Sequence, residues 1–152
     1  MDSSAGLLTE LVNAHHGRRL RTLAPAYEEI SRIQLREGRL SEALESLTRA
    51  FDVDLRNGRL ATRLGQLALE LDDLEVATRA FRAVTMMRNS EGDPTDGSTP
   101  EAKVDAQYYL AAIARQQGDL RKAKILVGKA LTSNPDHEKA KALSSELDST
   151  SG

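Results

Sequence analysis

At 152 residues and 16.6 kDa the chain fits one compact domain or a short repeat array, long enough to bury a core. Apolar residues make up 39% of it and charged residues 29%, with no apolar run near the roughly 20 residues that cross a bilayer, so membrane insertion is not expected. The absence of cysteine removes disulfides, thiolate metal sites and cysteine nucleophiles, and a formal charge of −2, with basic and acidic residues interleaved, leaves no stripe suited to nucleic acid.

In chain order, residues 1–23 come first. Met1 to Gly6 lack the basic flank and apolar stretch of a secretory signal, which makes cytoplasmic residence the expectation. Leu7, Leu8, Leu11 and Val12 then form an apolar stripe on a first helix, interrupted near His16-Gly17 and followed by Arg18 to Leu23. This segment reads as a cap, or as the second half of a hairpin whose first half lies upstream in a longer protein.

An internal repeat follows. Counting 34 residues forward, Tyr27, Ile30, Ser31, Ile33, Leu40, Ala43 and Leu47 meet Ala61, Leu64, Gly65, Leu67, Leu74, Ala77 and Phe81. Counting 46 more reaches Gln107, Leu110, Ala111, Ile113, Leu120, Ala123 and Val127, so the third copy follows an insertion of 12 residues. The copies are assigned to 24–57, 58–88 and 101–135. In each, apolar residues recur at three- and four-residue steps, which places them on one face of a helix. Gly38-Arg39-Leu40-Ser41, Leu71-Asp72-Asp73-Leu74 and Gln117-Gly118-Asp119-Leu120 divide each copy into two helices. Gly38 and Gly118 can take the left-handed conformation that ends a helix, and Ser41, Asp72 or Asp73, and Asp119 can cap the next one. Small residues at Ser31, Gly65 and Ala111, and at Ala43, Ala77 and Ala123, let the paired helices lie close. Leu47, Phe81 and Val127 supply bulk further along, and Ala50, Val84 and Ala130 stay modest where the next hairpin stacks.

The insertion, 89–100, is polar and rich in turn formers and is expected to be a mobile loop, with Thr99 and Pro100 starting the next helix. Its Glu91, Asp93 and Asp96 lack the alternation and terminal glutamate of an EF-hand. Residues 136–148 read as a capping helix opened by Asp136, with Ala140, Leu143 and Leu147 inward and Glu138, Lys139 and Lys141 outward. Residues 149–152 are expected to be a disordered tail.

With its Leu110-Ala111, Gly118-Asp119-Leu120, Ala123, Ala130-Leu131 and Asn134-Pro135, the third copy resembles a tetratricopeptide repeat. The first two copies keep the small and large scheme but depart from that pattern, with Leu55 in place of proline, Asp72 in place of the turn glycine, and Ala61 (as Gln107 in the third) at a place often aromatic. The resemblance implies an all-α fold, a right-handed superhelical stack of antiparallel helix hairpins. It also implies a concave groove lined by the first helix of each pair. Its places hold Glu28, Glu29, Arg32 and Arg36 on the first repeat, Arg59, Thr62, Arg63 and Gln66 on the second, and Tyr108, Tyr109, Ala112, Arg115 and Gln116 on the third. The lysine, asparagine and arginine clamp with which some members hold chaperone C-termini is not reproduced, since its places hold Glu28, Arg32, Arg63, Asp105 and Tyr109.

No catalytic constellation emerges. His15, His16 and His137 have no metal-ligand spacing, the glycines form no phosphate loop, and no Gly-x-Ser-x-Gly elbow is present. No enzyme activity, cofactor or metal is expected. The expected function is a non-catalytic scaffold or adaptor that binds a peptide or partner domain in the groove. The alternatives are self-association through the end helices within a longer array, or a regulatory domain of a larger enzyme.

Overall fold

A computed structural model describes residues 6, 9 and 21–150. The stripe of Leu7, Leu8, Leu11 and Val12, together with His15 and His16, lies outside the described residues, as do Ser151 and Gly152. A 3-10 turn, Arg21–Leu23, leads into seven α-helices: α1 (Ala24–Arg36), α2 (Leu40–Val53), α3 (Gly58–Glu70), α4 (Leu74–Met86), α5 (Pro100–Gln116), α6 (Leu120–Ser133) and α7 (Glu138–Thr150). They pack as three consecutive hairpins, α1/α2, α3/α4 and α5/α6, with α7 laid against the last.

Turn chemistry explains the hairpin boundaries. Gly38 and Gly118 sit at φ 75° and 83° at the ends of α1 and α5. In the middle hairpin Asp72 takes that conformation, at φ 59°, as short polar side chains do more readily than others. Its neighbour Asp73 accepts the Val76 amide and opens α4, while Asp119 accepts the Lys122 amide and opens α6. Thr99 caps α5 by accepting from Ala102 N, with Pro100 in the first turn.

Two expected caps are corrected. Ser41 lies inside α2, whose N-cap is Arg39 without a side-chain bond, because the helix begins at Leu40, two residues earlier than a cap at Ser41 requires. Asp136 does not cap α7: the His137 ring takes that place, Nδ1 accepting the Ala140 amide at 3.1 Å. The last helix also runs through Ser149 and Thr150, whose hydroxyls bond back to the Glu146 carbonyl.

The small positions are buried as their pattern requires: Ser31, Ala43, Ala77, Ala111 and Ala123 are all fully enclosed. Gly65 has a more specific reason. A Cβ there would lie 2.6 Å from the tip of the Phe81 ring, so the glycine on α3 is the seat of the phenylalanine on α4. Phe81 in turn stacks on Tyr109 of α5, ring centroids 4.7 Å apart and planes at 19°. The core forms two clusters, one across the first two hairpins and one across the third hairpin and α7. Helix α5 serves both, with Ala106 and Ile113 in the first and Val104, Ala111 and Ala114 in the second.

The insertion is folded onto the stack, unlike the mobile loop expected. Backbone bonds tie Gly58 N to Gly97 O at 2.9 Å, Gly97 N to Arg56 O at 2.7 Å and Ser98 N to Arg88 O at 2.9 Å. Ser98 is fully buried against Gly58, where a Cβ would meet Gly97 O at 2.3 Å, and Gly97 itself has φ 123°. Two glycines thus permit a close backbone approach that composition alone cannot signal. Asn57, which the sequence reading passed over, caps α3 through Leu60 N and donates to Asp54, and Asp54 also receives Arg21 Nε at 3.0 Å.

Two predictions follow from the glycines. Gly65→Ala lowers the unfolding free energy by about 1–2 kcal/mol in urea denaturation, since overpacking against an enclosed ring exceeds alanine's helix preference of about 1 kcal/mol. Trimming the ring with Phe81→Leu in the same chain recovers part of that loss. Gly58→Ala detaches the insertion, which is read as faster amide exchange at Gly97 and Ser98 with the hairpin helices still protected.

Candidate functional site

The groove candidates lie on α1, α3 and α5, the first helices of the three hairpins. Their arrangement begins with Glu28. Although only 6% exposed, its carboxylate receives Arg59 through both guanidinium nitrogens, Nη2 to Oε1 at 3.0 Å, and Arg63 Nη1 to Oε2 at 2.5 Å. One acid on α1 therefore holds two cations on α3. Burial raises the pKa of Glu28, but the Arg59 hydrogen bond and the charges of Arg59, Arg63 and Arg32 together outweigh it. The carboxyl is held below the ordinary glutamate value. The same contact raises Arg59 further above its already high range.

Most of the remaining polar candidates are also satisfied within the protein. Arg32 pairs with Glu29 one turn away on α1. Thr62 donates to the Gly58 carbonyl, Gln116 to Asp72 at 3.0 Å, and Arg115 pairs with Glu146 of α7. Gln66 and Arg36 are exposed and have no side-chain hydrogen bond or ion pair among the described residues. Ala112 is half-buried against the second core cluster.

The two tyrosines take different positions from those of open groove contacts. Tyr109 lies on Phe81 in the core, and Lys139 Nζ sits 5.9 Å from its ring centroid. Tyr108 meets Tyr109 edge-on at 5.3 Å and lies 5.7 Å from the His137 ring. His137 bridges the last two inner helices: its Nδ1 caps α7, so the proton is assigned to Nε2, which donates to Asp105 Oδ1 at 2.7 Å. Sequence reasoning placed Asp105 among the clamp positions but missed His137 and Lys139 as neighbours of the tyrosines. Only the docking of α7 brings them there.

The structure thus assembles a row of inner-helix side chains whose charges are largely paired between adjacent helices. Its middle carries the exposed amide of Gln66, and its ends carry the Arg32–Glu29 pair on α1 and the Tyr108–His137–Lys139 group at α5 and α7. Such a row can offer directional hydrogen bonds and aromatic edges in a fixed geometry, and it contains no nucleophile with an adjacent base. Among the described residues no group of histidines and carboxylates is placed to hold a metal ion, and no helix is long and apolar enough to cross a membrane. The recesses in the surface lie elsewhere. One of about 370 Å³ opens between α4, α5 and α6 beside Gln107 and Lys103, and one of about 340 Å³ lies at Leu55, Met86 and the insertion.

Lowering the pH through the folded-state pKa of Glu28 removes the stabilisation that its charge supplies. That contribution is complete above the unfolded glutamate range and disappears as the carboxyl protonates below it. Glu28→Gln is expected to cost about 1–3 kcal/mol at neutral pH, less than a fully buried pair because Arg59 and Arg63 stay about 41% and 34% exposed. Urea melts of the variant then show a weaker dependence on pH below about 4.5 than the native chain does.

No family model matches the sequence, and no curated protein sequence matches it. Solved structures do match the fold. The chain superposes on the crystal structure of MamA with a TM-score of 0.68 and 17% identity, over 97% of this chain and 77% of that one. Against the N-terminal domain of stress-induced protein-1 from C. elegans the TM-score is 0.65 at 16% identity, over 84% and 96% of the two chains. The first tetratricopeptide domain of Spaghetti (RPAP3), solved with an HSP90 peptide, gives 0.61 at 17% identity, over 84% and 91%. At these identities the likeness concerns the fold: the chain is a tetratricopeptide-like, all-α solenoid, a right-handed superhelical stack of helix hairpins.

Proposed function

We propose that the chain is a non-catalytic protein-interaction module that binds a peptide or partner segment along the concave row formed by α1, α3, α5 and α7. The observation that carries this reading is the cross-linking of neighbouring inner helices by Glu28 with Arg59 and Arg63, and by His137 with Asp105. A surface with its side chains already held in place loses little rotamer freedom on binding, which favours affinity. The paired charges make a ligand of mixed polarity the better fit, because a strongly acidic one would have to draw Arg59 and Arg63 away from a buried carboxylate. The fold supports the reading by analogy, since a structure of the same architecture was solved with a peptide bound.

Contact with the ligand then falls to side chains with free bonding capacity. Gln66 at the centre, Arg32 at the α1 end, where its pairing with Glu29 leaves guanidinium donors free, and the Tyr108 edge near α7 are the residues assigned to binding, with Arg36 at the margin. Arg59, Arg63 and Tyr109 position the row from beneath. Self-association by end-to-end stacking finds no support at the C-terminal end: of the exposed residues of α7, Glu138, Lys139, Lys141, Ala142, Ser145, Glu146, Asp148, Ser149 and Thr150, only Ala142 is apolar. Such a polar outer face closes a repeat array.

The test is capture from source-cell lysate on immobilised protein, with wild type beside Arg32→Ala/Gln66→Ala and bound proteins identified by mass spectrometry. A partner retained by wild type and reduced about tenfold on the variant, with circular dichroism unchanged, supports the concave row. A partner retained equally by both rules these residues out as contacts. Concentration-dependent mass in sedimentation, with no partner captured, transfers the function to self-assembly.

A further inference from the structure

The second helices form the outer face of the stack, and their charges are distributed unevenly. On α2 and at Arg79 of α4, arginines are matched with acids: Arg49 pairs with Glu45, and Arg79 pairs with Asp52 while lying 5.3 Å over the Phe51 ring. Helix α6 breaks this pattern. It carries Arg121, Lys122, Lys124 and Lys129 and no acidic residue. None of these cations, nor Arg82 on α4, has a side-chain hydrogen bond or ion pair among the described residues. The acids nearest in sequence are Glu75, in the first turn of α4, Asp119, whose carboxylate accepts the Lys122 amide, and Asp136, beyond the end of α6.

Between α4 and α6, and lined also by α5, runs a recess of about 260 Å³. Leu110, Ile113 and Leu126 line it with apolar surface, and Arg82 and Lys122 add positive charge to its lining. Apolar side chains are also left in solvent here, with Met86, part of the lining, 83% exposed and Ile125, next to Leu126 in sequence, 53% exposed. Exposed apolar area next to unmatched charge of one sign is a combination that solvent alone does not favour.

We infer that this outer recess between α4 and α6 is a second interaction surface, one that takes an acidic segment of a partner protein carrying an apolar side chain. Charge complementarity selects the acidic partner, since Arg82, Lys122 and the neighbouring Arg121 and Lys129 have no carboxylates of their own. The apolar lining selects the second feature: a leucine or similar side chain entering the recess covers Leu110, Ile113 and Leu126 and draws in Met86, whose flexible thioether adapts to irregular surfaces. An anionic bilayer fits less well. A flat headgroup plane cannot enter a recess between two helices, and α6 has none of the tryptophan or phenylalanine that anchors interfacial helices. The site is on the opposite side of the hairpins from the concave row, so it stands independently of the function proposed there.

Fluorescence anisotropy with the full chain tests this, using a fluorescein-labelled peptide rich in aspartate and glutamate with a central leucine, and the same peptide with serine in its place. Saturable binding of the leucine peptide is expected, weakened about tenfold by Arg82→Glu/Lys122→Glu, weakened by the serine exchange, and falling as salt rises. Lys124→Glu makes the same kind of charge change on a half-buried position outside the recess and is expected to alter binding less than about twofold. The reversed side chains make no bonds in the structure, so circular dichroism should stay unchanged. Should the double variant misfold, Lys122→Glu/Lys129→Glu, confined to α6, replaces it. Absence of saturable binding, or equal loss with Lys124→Glu, overturns the assignment. So does binding to phosphatidylserine vesicles without binding to the peptide, which would make this face a membrane contact.

Discussion

The Phe81 ring of α4 rests on Gly65 of α3 on one side and stacks with Tyr109 of α5 on another, and the middle of the protein is organised around it. A side chain at residue 65 would push the ring out of its seat. A displaced ring would no longer meet Tyr109, and the second and third hairpins would lose the aromatic contact that joins them. The consequence reaches the concave face. Because Tyr109 is turned down onto Phe81, it supports Tyr108 and the cation of Lys139 from within the core, and the tyrosine pair presents an edge more than two open faces.

Electrostatics performs a similar joining role at the other end of the stack. Glu28 is the only acid among the inner-helix candidates that is buried, and it stays charged because Arg59 and Arg63 converge on it from the next hairpin. A buried carboxylate with one weak partner would tend to take up a proton, whereas two guanidiniums shift the balance towards ionisation. Apolar stacking between hairpins two and three, and ion pairing between hairpins one and two, thus hold neighbouring inner helices in fixed relation. The outer helices have a different character: Arg49 and Arg79 on the first two are matched with acids, whereas Arg82 of α4 and the cations of α6 are not. That asymmetry concentrates positive charge on one part of the outer surface.

The insertion shows how a segment of turn-forming composition can still be an ordered part of a fold. Its residues are those of a solvated loop, but Gly58 removes the side chain that would keep its backbone away from the start of α3, and Gly97 the one that would meet the Arg88 carbonyl. The amides and carbonyls of Arg56, Gly58, Arg88, Gly97 and Ser98 then bond to one another. Order here comes from backbone contacts between segments some 40 residues apart in the chain. Residue composition averaged over a window contains no record of such contacts.

The hairpin architecture, the turn glycines at 38 and 118, the caps at Thr99 and Asp119, and a middle cap at Asp72 or Asp73 were legible in local sequence. Each depends on residues within one or two turns of one another, where periodicity and backbone preference act. The small residues at 31, 43, 77, 111 and 123 were legible for a related reason, since close helix packing repeats with the hairpin. Which inner-helix charges and rings stay unpaired was decided only by tertiary structure. Arg59 and Arg63 look like available cations until Glu28 is found between them, Tyr109 looks like an exposed aromatic until Phe81 lies beneath it, and His137 acquires its cap and its Asp105 partner when α7 docks on α5. Availability depends on what arrives from distant parts of the chain, and a charge or ring in a sequence does not state whether its partner is a neighbouring helix or the solvent.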